Sequence, residues 1–203
     1  MMRDNTIKTS ELIYLNEAAK ALKKKRFIIF YNNIIACDNL SYLSYVTLDS
    51  DIFYNPYLSG LVVETRELSA FVKTITTESC FTSRTVSNGY VINTITGNLK
   101  FTFSNIDIGK LFKAPKPFII CEEECINDKI PEIFEIRRHD GSFNYIHHGK
   151  YFMTLFYGIL PLNKTDKIYL TIRDGYTHNS FIAEFRVSKK KFDVNVVVAY
   201  LYI

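Results

Sequence analysis

Tryptophan is absent from this chain, and cysteine occurs four times and proline five times in 203 residues. Each shortage removes a class of protein. Four scattered cysteines, Cys37, Cys80, Cys121 and Cys125, are too few for a disulfide framework in a chain of this size, which agrees with a reducing compartment. The longest apolar stretches, such as YFMTLFYGILPL, fall short of the roughly 18 residues a membrane helix needs. The opening MMRDNTIKTSELIY lacks the apolar centre of a signal peptide, so the expectation is a soluble cytoplasmic protein with no membrane contact. The eight glycines stand singly, none in GxGxxG or GxxxxGK spacing, which removes the phosphate-cradling loops. Surplus charge is also scarce: +4 with pI ≈ 8.7 permits contact with a polyanion without the field of a histone-like tail.

What the chain does have is alternating β-branched and aromatic runs, with a few helical stripes. From Thr9 to Arg26, TSELIYLNEAAKALKKKR places Leu12, Leu15, Ala19 and Leu22 on one helical face, with Thr9 or Ser10 as N-cap and Glu11 in the first turn. Short antiparallel strands follow through RFIIFYNNIIACDNLSYLSYVTLDSDIF and Leu61-Val62-Val63. A second helix is predicted at about Thr65 to Thr76, where Leu68, Phe71, Val72 and Ile75 recur at helical spacing. The strands CFTSRTV, YVINTI and LKFTFSNI come next, the first two joined at Ser87-Asn88-Gly89. DIGKLFKAPKP, with two prolines and three lysines, reads as a connector.

The second half is terser. FIICEEEC is followed by a hairpin, IFEIRRHDGSFNYI, turning at Asp140-Gly141, then a short helix at about Gly149 to Leu160 and closing strands KIYLTIRDGYTHNSFIAEFRV and FDVNVVVAYLYI. TVSNGY at Thr85 and TIRDGY at Thr171 sit in matched order among their neighbours: helix, strand, tight turn, strand, final strand. That order argues for a duplicated domain, with residues 1–106 and 118–203 as the two copies and 107–117 between them.

Catalytic and metal constellations carry little. Cys121 and Cys125 with His139, His147 and His148 hold zinc-ligand types, but the intervening glutamates and strand alternation argue for cysteines in a strand. His147-His148 has no nucleophile nearby in a recognisable setting. Neighbouring acidic residues, as in Glu122-Glu123-Glu124, alternate across a strand and do not make a two-metal site. No metal, cofactor or enzymatic activity is expected.

The helix over Thr9–Arg26, the Ala-x-Asp motif at Ala36-Cys37-Asp38, the polar turn and strands after it, the helix from Thr65, and the closing FYGILPLNKTDKIYLTIRDGYTHNSFIAEFRV together resemble the DNA sliding clamps of the two-domain phage and eukaryotic type. The resemblance spans roughly Thr6 to Ile106 and Asn144 to Ile203; between Phe118 and Asn144 no amphipathic helix matches the first, so the second domain reads as shortened. It implies an α+β fold of two tandem clamp-like domains, antiparallel sheets outside and short helices facing a central hole.

The function implied is that of a ring-forming processivity factor, of phage or viral origin. Three chains would encircle double-stranded DNA without regard to sequence and tether a DNA polymerase, the ring opening through a separate clamp loader or by spontaneous dissociation. Loose attraction to phosphate requires Lys and Arg on the hole-facing helices. The residues implied are Lys20, Lys23, Lys24, Lys25, Arg66, Lys73 and Lys150, with Arg26 extending the positive end. By the same resemblance a partner peptide would dock on Cys37, Leu40, Tyr42, Leu111 and Phe112, although Leu111 and Phe112 serve equally well to pin the connector to the sheet. Two rivals stay open: a phage structural or assembly protein whose β-rich domains oligomerise through sheet edges, and a clamp-like transcription factor without ring closure.

Overall fold

The computed structural model describes residues 7–30, 33–39, 42–75, 81–104, 119–125, 133–137, 143–147, 167–174, 180–189 and 191–201. They are mixed α/β, with antiparallel strands and two helices. The chain divides into two compact units, Met1–Ala36 with Val46–Lys113, and Cys37–Tyr45 with Ala114–Ile203.

The first unit opens with α1 (Thr9–Leu22), whose Leu12, Leu15, Ala18, Ala19 and Leu22 are buried. Its N-cap is Lys8, one residue before Thr9 and two before Ser10, the caps expected from the sequence. The Glu11 carboxylate accepts from the Lys8 amide at 2.7 Å, so an acid in the first turn satisfies a backbone donor there, as in one half of a capping box. After α1 come β1 (Arg26–Phe30), β2 (Asn33–Asn39) and β3 (Tyr42–Thr47), then a 3-10 turn (Pro56–Leu58), β4 (Leu61–Glu64) and α2 (Thr65–Thr74). A meander of β5 (Thr82–Val86), β6 (Gly89–Asn93) and β7 (Asn98–Phe103) completes the unit. Its sheet order is β5-β6-β7-β4-β1-β2.

Burial follows from that order. Phe27, Ile28 and Ile29 on β1 and Ile34, Ile35 and Ala36 on β2 are buried consecutively, so both faces of these inner strands are covered and the sequence runs apolar without alternating. On the outer β6 and β7, alternation returns: Tyr90, Ile92, Leu99 and Phe101 are buried, while Asn98 and Lys100 are exposed. Helix α2 packs against β4 and β7, burying Leu68 and Phe71, and the Phe71 ring lies 6.4 Å from that of Phe81.

The turn in TVSNGY forms as expected. Val86 pairs with Gly89 across the two residues Ser87-Asn88, and the Asn88 carbonyl accepts from the Phe103 amide at 3.1 Å. Gly89 is there for space: a Cβ at that position would stand 1.9 Å from the Phe101 carbonyl oxygen.

Helix α1 ends on Lys23 at φ 54, ψ 34, a left-handed position that glycine usually fills. A side chain there costs about 1 kcal/mol. Lys23→Gly should therefore raise the melting temperature by several degrees, and a calorimetric scan beside the parent chain measures it.

In the second unit, residues of β3 up to Tyr45 lead a sheet that continues as β13 (Asp193–Leu201), β12 (Ser180–Ser188), β11 (Ile168–Asp174) and β8 (Ile119–Cys125). A separate hairpin pairs β9 (Ile133–Arg137) with β10 (Phe143–His147), as the sequence predicts. Ala183, Phe185, Val187, Val194, Val196 and Ile168 are buried. On the alternate positions of β12, Glu184, Arg186 and Ser188 are polar and hydrogen-bonded. Tyr45 donates to the Glu184 carboxylate at 2.6 Å. The Arg186 guanidinium sits 4.4 Å above the centre of the Tyr169 ring and bonds Asp193 at 3.2 Å.

The second hexapeptide does not repeat the first turn. Thr171 to Asp174 all lie in β11, with Asp174 paired to Phe181, so the strand runs through the position that Asn88 occupies in the first turn. The rest of TIRDGY, and the helix expected at Gly149 to Leu160, lie outside the described residues.

Candidate nucleic-acid interface

The two helices of the first unit run in opposite directions, and hydrogen bonds fix the end where the basic residues gather. Ser69 of α2 donates to the Oδ1 of Asn16, a buried residue midway along α1, at 2.7 Å. Closer to the α1 C-terminus, the Thr65 hydroxyl donates to the Lys24 carbonyl at 2.6 Å, and the Thr65 amide donates to the Lys25 carbonyl at 2.8 Å. One threonine thus ties the first residue of α2 to the segment leaving α1. Strand register adds to the tie by pairing Arg26 with Glu64.

Around that junction stand Lys20 in the last turn of α1, Lys23 at its cap, Lys24, Lys25 and Arg26 behind it, and Arg66 in the first turn of α2. All are exposed except the half-buried Lys24, whose backbone is engaged by Thr65. Lys73 is also exposed but lies toward the other end of α2, about 10 Å along the helix axis from Arg66. The structure therefore brings Lys20, Lys23, Lys24, Lys25 and Arg66 to one junction, and sets Lys73 apart.

The electrostatics of the junction favour anions. Lys20 and Lys23 offset the negative end of the α1 dipole, while the positive end of α2, its first amide bonded to the Lys25 carbonyl, lies toward the same region. Carboxylates are fewer here: from Lys8 to Arg26 there are six basic residues against Glu11 and Glu17. Glu64 and Glu67 moderate the field at the start of α2.

Arg26 belongs with these residues on position, and Thr65 is a residue that pattern reading misses. Thr65 carries no charge, and its role rests on a contact 41 positions back in the chain, which no local signal reveals. Of the residues implied for peptide docking, Cys37 lies in β2 and Tyr42 opens β3. Leu40, Leu111, Phe112 and also Lys150 lie outside the described residues.

An open groove of about 470 Å³ lies between α2 and the turn before β7, with Phe71 at its wall and the oppositely charged Glu67 and Lys100 on its lining. Among the described residues no cluster of His, Cys, Asp and Glu could hold a metal ion, and no helix is long and apolar enough to cross a membrane.

No family model matches the chain, and no curated protein sequence matches it. Among solved structures it is similar to the DNA polymerase sliding clamp of Pseudomonas aeruginosa, at 7% identity and a TM-score of 0.46 over 95% of this chain and 63% of that one. It is also similar to the Helicobacter pylori β clamp in complex with carprofen, at 10% identity and a TM-score of 0.46 over 97% of this chain and 65% of that one. The chain thus spans less than two thirds of the length of these structures. TM-scores below 0.5 do not establish a shared fold.

Proposed function

We propose that the protein is a DNA sliding clamp, a ring-forming processivity factor that closes around duplex DNA and tethers a replicative polymerase. The observation that carries the reading is the gathering of Lys20, Lys23, Lys25, Arg26 and Arg66 where two antiparallel helices meet, held there by backbone bonds through Thr65. Such a surface attracts phosphates without reading bases. Its cations are long and exposed, so each contact is weak and exchangeable, which sliding requires and tight binding does not.

In this reading three chains make the ring, each built from two clamp-like domains at residues 1–106 and 118–203. Lys73 and Lys150 extend the DNA-facing surface, and a polymerase peptide docks on Cys37, Leu40, Tyr42, Leu111 and Phe112. The protein would be viral or phage-encoded, act in the cytoplasm of the host, need no cofactor, and be placed on DNA by a loader. It performs no reaction of its own; topological linkage replaces tight binding.

Linkage is directly testable. On nicked circular duplex DNA the loaded protein should stay with the DNA through gel filtration at about 0.3 M salt, where purely electrostatic contacts are released. Cutting the circle should free it, and light scattering should give close to three times the 23.6 kDa chain mass. Equal loss from circular and linear DNA, with a monomer mass, overturns the ring.

A further inference from the structure

A second surface of the first unit is opposite in character to the basic junction. Between β3 and β4 the chain runs Asp49-Ser50-Asp51-Ile52-Phe53-Tyr54-Asn55-Pro56-Tyr57-Leu58. Phe53 and Leu58 are fully buried and anchor the loop. Between and beside them, Ile52 is 46% exposed, Tyr54 57% and Tyr57 55%.

The loop is held at several points. The Tyr14 hydroxyl of α1 accepts from the Asp49 amide at 3.0 Å, and the Asp49 carboxylate accepts from the Asp51 amide at 2.9 Å. The Asn55 side chain accepts from the Tyr57 amide at 3.1 Å. The three large side chains are therefore presented in a fixed arrangement, and little ordering entropy remains to be lost on binding.

We infer that the Asp49–Leu58 loop is a docking surface for a cationic, apolar peptide segment of a partner protein. Charge selects this occupant. No lysine or arginine occurs between Arg26 and Arg66, in a chain that carries 25 of them, whereas Asp49 and Asp51 flank the exposed apolar residues. Phosphate is repelled from such a surface. A partner's Lys or Arg would find two carboxylates and two tyrosine ring faces, and its apolar residues would cover Ile52. Exposed tyrosines bring large contact area at low entropy cost, the composition of interface centres. Tyr14 also fixes the spacing from the DNA-facing cluster: it lies nine residues before Lys23, about 13 Å along α1, so a partner here need not compete for the basic end.

The test is a phage-displayed library of random twelve-residue peptides, selected on the full chain and counter-selected on the Tyr54→Ala/Tyr57→Ala double variant. Surviving peptides should carry Lys or Arg beside apolar residues. As labelled synthetic peptides, they should lose at least about tenfold in affinity on the double variant, and several-fold on Asp49→Asn/Asp51→Asn or in raised salt. Duplex DNA binding should be the same in all three proteins, and circular dichroism should show both variants folded. The inference is overturned if no peptide discriminates the double variant, or if the survivors are acidic and indifferent to Asp49→Asn/Asp51→Asn. It is equally overturned if the double variant loses single-stranded oligonucleotide binding or drops in solution mass, since the occupant is then a nucleic acid or a second copy.

Discussion

Replacing Lys20, Lys23, Lys25 and Arg66 together by alanine should make duplex DNA binding weaker and much less sensitive to salt. Each phosphate contact contributes about 0.9 to the slope of log K against log salt. If all four residues meet phosphate, the slope should fall in magnitude by about 3 to 4, and fluorescence anisotropy from about 50 to 200 mM salt resolves that change easily. Lys24 is left in place because its side chain is half-buried, so its truncation would mix packing with binding. Lys73→Ala alone should lower the slope by about one, since it lies apart from the junction. An unchanged slope in the fourfold variant removes the junction as the DNA-binding surface. Lys23→Gly adds a control in which stability and binding move in opposite directions: the helix cap relaxes while one cation is lost.

The largest loss of stability from one methyl group is expected at Gly89→Ala. The new Cβ would fall 1.9 Å from the Phe101 oxygen and 2.9 Å from both the Phe101 carbonyl carbon and the Thr102 Cα. These are backbone atoms of the paired strand and cannot rotate away. Gly89 also sits at φ +154, outside ordinary side-chain territory. Crowding and backbone strain together should cost about 3 kcal/mol or more, read as a lower urea midpoint. Gly60→Ala is the matched comparison: φ is +80 but nothing lies within 4 Å of the added carbon. It should lose only the conformational cost, about 1 to 2 kcal/mol. Equal losses at the two sites would mean that β5-β6 is free to move away from β7.

Gly89 also marks how far the sequence could be read. Its hairpin was legible because a two-residue Ser-Asn turn before glycine is a local signal, and the two helices were legible from apolar spacing. The second hexapeptide was not: six similar letters carried no information about where β11 ends, because strand length there is set by the register with β12. The cap on Lys8 escaped reading because lysine is not a capping residue type; Glu11 at the third helical position bonds the Lys8 amide itself, the other half of a capping box. The basic cluster was visible as letters, but its assembly was not, since Arg66 joins Lys23 and Lys25 through long-range contacts: the bonds of Thr65 to Lys24 and Lys25, Ser69 to Asn16, and the Arg26–Glu64 pairing. No sequence signal marks Tyr54 and Tyr57 of the Asp49–Leu58 loop as exposed; that follows only from the burial of Phe53 and Leu58 as anchors.

The missing cations between Arg26 and Arg66 determine how this surface can be observed. Trypsin makes no cut from Phe27 to Arg66, so a partner seated on the loop protects nothing that a tryptic digest could report. Lysine-directed cross-linkers have no attachment point within the loop, so a partner on the tyrosines would be reported only through lysines outside it. Footprinting of the loop has to use its own functional groups: carboxyl-directed coupling at Asp49 and Asp51, iodination of Tyr54 and Tyr57, or chymotrypsin, which should cut after the exposed tyrosines and spare buried Phe53.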